Sequence, residues 1–454
     1  ADGWTYRVAH RYGARGEPVA SQWGTAPGLD WLTDGPGHLH GLRAPGLALD
    51  IERDALHRES VRRFAAGEGA PPSLTEARDY TPLGLLARQR RAPAVGGPAE
   101  TRYSYDPLGR LAGRHDPARP DAAIAYTYDA ADRLVASRHG AREQHYPFDP
   151  AGNRIDTPSG PPRRLTETEW AALVRERMHD PSFNPLTELG FDATHDPLWP
   201  DNRITRLAGT TSRFDAAGNL VERTRPDGTR LAFGYDGAHR LVTLERTDPD
   251  GAITRANYTY DALSRRIAKT VTHPDGTAQT TRYGWDGERL VAEATDELTT
   301  TVVYEPNSFV PLARFDQPAQ ATAEDEDPDE RAARETAITL LRAHNLPIPD
   351  ELAPETPLAR TSLYLTDHLG TPLELVAADG DTLWHASPDD WAAVRDPQGT
   401  HQPIRFQGQW EDEESGLYYN RYRYYDPVQG RYVTQDPIGL VGGVNLHAYA
   451  LNDP

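Results

Sequence analysis

Residues 103–111 read Tyr-Ser-Tyr-Asp-Pro-Leu-Gly-Arg-Leu, and this stretch decides the fold. Tyr103 and Tyr105 lie two apart, which places both rings on one face of a strand. Asp106 can bond its own backbone two residues on, and Gly109 supplies a left-handed residue, so the chain turns. Leu111 then starts a returning strand. The unit recurs as Tyr128-Asp129 with Arg133-Leu134, Phe148-Asp149 with Gly152-Asn153-Arg154, and Phe214-Asp215 with Gly218-Asn219-Leu220. Further copies are Tyr235-Asp236 with Arg240-Leu241, Tyr260-Asp261 with Arg265, and Trp285-Asp286-Gly287 with Arg289-Leu290; Tyr80-Thr81-Pro82-Leu83-Gly84 reads as a decayed one. Successive Asp residues are 23, 20, 66, 21, 25 and 25 apart. A period in the low twenties fits a strand, a turn and a returning strand that must stack on neighbours to bury its aromatics. The long step marks an insertion or degenerate copies.

Composition agrees. The 454 residues include 38 Gly and 39 Pro, which disfavour long helices, and 21 Tyr, a residue of half-buried strands. With no cysteine, disulfides, thiol catalysis and thiolate zinc sites are excluded. No run of about 18 apolar residues exists to span a membrane as a helix. A net charge of −20 opposes general nucleic-acid binding and suits either a basic cargo or plain solubility. The opening Ala1-Asp2-Gly3-Trp4 is neither a signal peptide nor an initiator context, so the expectation is a chain that begins inside a longer protein.

Two stretches depart from the strand pattern. Thr166-Glu167-Thr168-Glu169 before Trp170, Leu173, Val174 and Met178 predicts a capped amphipathic helix. Asp325 to His344 predicts another, with Ile338, Leu340 and Leu341 on its apolar stripe. Both are expected to pack on, or plug, the β structure. The acidic run Glu324-Asp325-Glu326-Asp327 lacks the loop glycine of a calcium site and reads as a solvated helix start. Neither a phosphate-cradling loop nor a Gly-x-Ser-x-Gly elbow is present.

The ordered repeats resemble the YD repeats of the Rhs (rearrangement hotspot) family, which is related to bacterial polymorphic toxins, insecticidal Tc toxin C-components and teneurins. The final third is closer still. Tyr364-Leu365-Thr366-Asp367-His368-Leu369-Gly370-Thr371-Pro372 is similar to the family's histidine-containing motif. Arg405-Phe406-Gln407-Gly408-Gln409, Glu414 to Pro427, Gly430-Arg431-Tyr432 and Asp436 to Asn445 resemble the C-terminal signature of the core. The resemblance implies an all-β protein whose sheets spiral into a hollow cocoon around a toxin domain that follows the core. Residues 1–100 are then expected to be degenerate shell strands of a truncated core, 101–310 the YD-repeat shell, 311–360 an acidic linker and helix, and 361–454 the signature region that closes the shell. Implied partners are the enclosed toxin domain, the N-terminal part of the core, a type VI secretion spike or adaptor, and an immunity protein bound to the toxin. The implied location is the producer's cytoplasm before delivery, then the target cell.

On family grounds Asp436 and Asp426 are the candidate catalytic residues of a self-cleaving aspartyl-type peptidase, at most a single-turnover activity, with no cofactor and no metal. Two carboxyls can cleave a peptide when they share a proton, one activating water and the other protonating the carbonyl or leaving group. The residues alone say otherwise: Asp-Pro-x-x-Gly and Asp-Pro-x-Gly are turns. If Pro427–Gly430 turn a hairpin, Asp426 faces Arg431 and Asp436 faces Arg421, about 16 Å apart along the ribbon. A dyad then requires a sharp bend or another acid. The family commonly repeats Asp-Pro-x-Gly-Leu some twenty residues on, with cleavage after that Leu, and Asn452-Asp453-Pro454 ends the chain before any such copy. Arg421, Arg423 and Arg431, interleaved with Tyr, read as cross-strand ion pairs and cation–π stacks. His368, with no second His at metal spacing, reads as a hydrogen-bonding structural residue. The rival reading of the whole is an extracellular YD-repeat adhesion or carbohydrate-binding array, against which the missing cysteines and secretion signal count.

Overall fold

Each Asp-centred repeat folds for reasons contained in five residues. The protein is seen in a computed structural model, which describes residues 4–34, 37–94, 97–149, 151–156, 202–319 and 359–449, with five helical positions between 333 and 341. Asp106 Oδ1 accepts from the backbone N–H of Leu108 and Arg110 at 2.9 and 3.0 Å, and its Oδ2 accepts from Arg110 Nε at 2.7 Å. Gly109 stands at φ 84°, a region that costs a residue with Cβ about 1–2 kcal/mol. Asp129, Asp236 and Asp261 build the same turn. Thr81, in the decayed copy, substitutes its hydroxyl, which accepts from Leu85 N–H at 3.1 Å.

The copies are stitched to one another. Arg110 stacks over the ring of Tyr128 at 4.9 Å and Arg240 over Tyr260 at 5.1 Å, so each turn arginine covers the next copy's aromatic. In return the aromatic donates backwards: Tyr105 OH to the Leu86 carbonyl at 2.9 Å, Tyr260 OH to that of Leu241 at 2.8 Å. A β-bulge falls at the aromatic of Tyr128, Tyr235, Tyr260 and Trp285, which admits the extra turn residue. At the opposite end, Pro-Asp-Gly at 226–228, 249–251 and 274–276 closes the hairpins.

Most connections are tight hairpins, and within each sheet every strand pairs antiparallel with its sequence neighbours, so the sheets are meanders. Pro311–Pro318 pairs with Arg360–Thr366 across the 319–359 stretch. The first has 13 strands, from β1 (Val8–Tyr12) to β13 (Arg142–His145). The second has 15, from β14 (Arg206–Leu207) to β28 (Gln398–Gly399), and the third has four, from β29 (Trp410–Asp412) to β32 (Arg431–Tyr432). The all-β expectation holds.

One core joins all three sheets: Trp23, Leu49 and Phe64 of the first, Leu231, Val303 and Phe315 of the second, Trp410, Leu417 and Tyr424 of the third. Polar contacts between the two long sheets advance in step. Trp23 Nε1 and His10 meet Asp286, Arg62 meets Glu305 at 2.8 Å, Arg91 meets Glu374 at 3.1 Å, and His139 meets Asp390 at 2.9 Å. The two sheets therefore run the same way along their contact. The helix expected at 166–178 and the acidic run at 324–327 lie outside the described residues; Ala333, Thr336, Ala337, Leu340 and Leu341 of the second expected helix are helical.

Candidate functional site

The third sheet is a stripe of tyrosines pressed onto the second. Its strands β30 (Leu417–Asn420) and β31 (Arg423–Asp426) bury Tyr418, Tyr419, Tyr424 and Tyr425. Cations from the second sheet clamp it down. Arg266, 1% exposed, bonds Asp412 and stacks on Tyr419 and Tyr283 at 4.2 and 4.5 Å. Lys269 adds bonds of 2.9 Å to Asp412 and 3.2 Å to Glu414, whose other oxygen accepts from Tyr258 OH at 2.8 Å. Burial would raise the Asp412 carboxyl, but Arg266 and Lys269 hold it below the usual carboxylate range. This cluster was not singled out from the sequence. Its signal was a departure at the position after the turn arginine, where Leu111, Leu134, Leu241 and Leu290 stand in other copies and Arg266 stands here.

Asp426 is 1% exposed and bonds Arg223 Nη2 at 2.6 Å, while its other oxygen accepts from Val428 N–H at 2.9 Å. The hairpin register is as expected, Asp426 opposite Arg431. Asp436 departs from the expected place opposite Arg421. The ladder gives out after Val433, Asp436 N–H turns to the Leu446 carbonyl at 2.8 Å, and its carboxylate meets Arg423 at 3.1 Å. The carboxylate also accepts from Ile438 N–H at 3.0 Å. The two candidate carboxylates thus have different arginine partners and share no bond.

The residues after Asp436 fold back over it. Gly439–Gly442 form a 3₁₀ turn, and a Cβ on Gly442 would stand 2.8 Å from Asp436 Oδ2, so only glycine allows that approach. Asn445 Nδ2 then bonds Asn153 Oδ1 at 2.9 Å, seating the signature on the Asp149 turn at the end of the first sheet. Arg431 reaches the same Asn153 oxygen at 2.9 Å and the Asn202 carbonyl at 2.6 Å; burial without a bonded carboxylate lowers its pKa to about 9. Arg421 and Arg423 are the expected pairs and stacks, with Glu288 at 2.6 Å and over Tyr432 at 3.6 Å, but Arg431 is not. Beside Asp436 opens a cleft of about 420 Å³ walled by Trp285, Leu290, Phe309, Trp410 and Tyr422.

His368 closes another repeat turn, in which Asp367 Oδ1 accepts from Leu369 and Thr371 N–H, both at 2.9 Å. Its ring packs on Tyr103 at 5.6 Å, and its buried Nδ1 has no hydrogen-bond partner among the described residues, unlike the bonded role expected. Asp54 and Asp389 also build repeat turns; Arg53 and Pro388 in the aromatic position had hidden them.

Meandering sheets grown from Asp-centred turns, with a tyrosine-rich sheet packed onto the second of them, define the YD-repeat class. Comparison with known proteins makes this particular: the RHS Repeat profile matches residues 214–253 and the RHS protein profile residues 362–397. The chain belongs to the Rhs/YD-repeat family. It is 47% identical to toxin protein Tse5 of Pseudomonas aeruginosa over 100% of its own length and 34% of that protein's. It is 31% identical to double-stranded DNA deaminase toxin A of Burkholderia cenocepacia, covering 93% of this chain and 26% of the other. The probable deoxyribonuclease RhsB of Dickeya dadantii is 26% identical, over 92% of this chain and 24% of that one. The chain therefore spans about a third or less of these relatives. In fold it is similar to the crystal structure of TcdB2-TccC3-TEV, with a TM-score of 0.60 at 15% identity over 99% of this chain and 21% of that one.

Proposed function

We propose that this chain is the core of an Rhs shell that encloses a C-terminal toxin domain and delivers it in interbacterial competition. One observation carries the reading. Relatives named as a deaminase toxin and as a deoxyribonuclease align along nearly all of this chain, yet the aligned part is about a quarter of each. A segment common to proteins of different chemistries is the carrier, and the chemistry lies elsewhere in them. The clamped third sheet suits a wall that must stay shut, since separating one member of a buried ion pair from the other costs about 3–5 kcal/mol. The remaining parts of the core, a secretion spike or adaptor, and an immunity protein are the partners this reading calls for, with the producer's cytoplasm as the place of storage.

Self-cleavage at the shell–toxin junction belongs to the same proposal. Asp436 is its acid, because its cleft is open and apolar-walled whereas Asp426 is consumed by Arg223. Arg423 pairs with that carboxylate at 3.1 Å and fixes its place at the mouth of the cleft. The second carboxyl of a dyad would come from chain beyond the described residues, because Glu288, the other acid of the cleft, is paired with Arg421 at 2.6 Å. Intact mass spectrometry of the full-length parent, wild type beside Asp436→Asn, tests this. A fragment boundary past residue 454 in wild type alone is expected; identical fragments in both would return Asp436 to a turn residue while leaving the shell reading intact.

A further inference from the structure

A long cleft of about 630 Å³ lies away from Asp436, over the face of the first sheet and under residues 373–395. Its floor takes side chains from six consecutive strands, β8 (Leu86–Pro93) to β13, among them Arg91, Tyr103, Arg114 and Arg142. Five strand spacings make it roughly 24 Å long, which is about seven residues of extended chain. That length is excessive for a small metabolite and suits a peptide.

Its charge is unlike that of the rest of the protein. Acidic side chains outnumber basic ones 68 to 48 overall, but this lining holds five arginines against four carboxylates. Two of the arginines are satisfied, Arg91 by Glu374 at 3.1 Å and Arg119 by Asp116 at 3.0 Å. Arg142 and Arg395 are exposed and have no salt bridge among the described residues. Arg114 is the odd one. It is half-buried, lines both this cleft and a small inner cavity of about 40 Å³, and makes no hydrogen bond, salt bridge or ring stack among the described residues. Other buried arginines are bonded: Arg62 to Glu59 and Glu305, Arg223 to Asp426, Arg266 to Asp412, Arg314 to Asp316, and Arg431 to the neutral oxygens of Asn153 and Asn202. The inner cavity also holds the Thr371 hydroxyl, 1% exposed and unbonded, and the unbonded His368 Nδ1. Asp367 and Asp389 flank it, and neither has the arginine that usually takes the second carboxylate oxygen of a repeat turn, because Thr371 and Ala393 stand in that position.

We propose that this cleft binds an extended acidic peptide, one carboxylate of which pairs with Arg114 while its neighbours lie along Arg142 and Arg395. Each carboxylate brings a single charge, which the nearby Asp367 and Asp390 tolerate better than a dianionic phosphate. Nucleic acid is a poorer fit, since among the lining residues no exposed Phe, Tyr or Trp offers a platform for bases and Tyr103 is buried. Thr101 and Gln144 supply hydroxyl and amide partners for a peptide backbone. The inference goes beyond enclosure of a toxin and does not rest on Asp436.

The test is fluorescence anisotropy of labelled acetyl-hexaglutamate amide on the 454-residue chain at low salt, with hexaglutamine, inorganic phosphate and hexathymidylate as comparators. Hexaglutamate is expected to bind, hexaglutamine not to, and Arg114→Gln to weaken binding about tenfold or more, the worth of one charge-assisted pair. Unchanged affinity in Arg114→Gln would overturn the site. Displacement by phosphate at equal concentration would replace it with a free-oxyanion site, and equal binding of hexathymidylate with an unspecific polyanion surface. Should Arg114→Gln fail to fold, the doubly substituted Arg142→Gln/Arg395→Gln, altered only at exposed positions, must weaken hexaglutamate severalfold; no change there overturns the proposal equally.

Discussion

Replacing Arg266 by Met should loosen the third sheet from the second while leaving the volume at the site nearly filled. In the native chain Arg266 and Asp412 are 1% and 0% exposed, with Lys269 as the second cation. Removing one partner of such a pair costs about 3–5 kcal/mol, chiefly by stranding the other charge. Lys269 at 2.9 Å remains to hold Asp412, which argues for the lower end. Stacking on Tyr419 and Tyr283 is also lost, at roughly 0.5–2 kcal/mol when desolvated. The expected loss is therefore about 3 kcal/mol in urea denaturation, followed by fluorescence of Trp410, which is buried in the third sheet. Adding Asp412→Leu to Arg266→Met should recover at least half of it, because the stranded charge is gone. The folded-state pKa of Asp412 is depressed, so its contribution is fully present above the unfolded carboxyl pKa near 4 and fades as pH falls below that. The stability gap between wild type and Arg266→Met should narrow accordingly in acid. A loss under about 1 kcal/mol, or a double variant as unstable as the two single losses added, would refute the clamp.

Four other outcomes rest on the same geometry. His239 occupies the glycine position of the Asp236 turn at φ 60°, so His239→Gly should raise stability by up to about 1 kcal/mol in thermal unfolding. Gly218→Ala should do the reverse, since its φ is +85° and a Cβ would meet Gln435 at 2.6 Å. Tyr260→Phe should cost about 1–2 kcal/mol by leaving the Leu241 carbonyl without its 2.8 Å bond, with chemical denaturation as the readout. His447, fully buried, has its pKa lowered to about 3 by burial and by Arg431. Its neutral state is thus favoured in the folded chain; that stability is complete above the unfolded pKa near 6.5 and is lost as pH falls towards 3, on the order of 4 kcal/mol in all. His447→Gln should flatten the stability profile between pH 6 and 4, and an unchanged slope would assign it to other groups.

The repeat turns were legible because they are local. Asp106, Gly109 and Arg110 satisfy one another within five residues, so any copy shows the same letters. Where an aromatic was missing, at Asp54 and Asp389, the turn formed anyway, because the Asp-to-backbone bonds do not need the ring. Antiparallel order came mostly from hairpin connections; the pairing of Pro311–Pro318 with Arg360–Thr366 across the 319–359 stretch did not. Arg266 was visible only as a break in pattern, a charge in an aliphatic slot, with nothing nearby to name Asp412 as its partner 146 positions on.

Partner choice at the candidate site was tertiary throughout. Asp426 and Asp436 look alike in sequence, each an Asp-Pro turn, yet one is sealed against Arg223 and the other borders an open cleft beside Arg423. Arg114 likewise reads as an ordinary strand arginine, and only the meeting of the first sheet with residues 373–395 sets it near Asp367 and Asp390 with no bonded side-chain partner among the described residues. The reason is physical: turn chemistry is decided over a few bonds of backbone, whereas the fate of a buried charge depends on which distant surface the folded sheets bring against it.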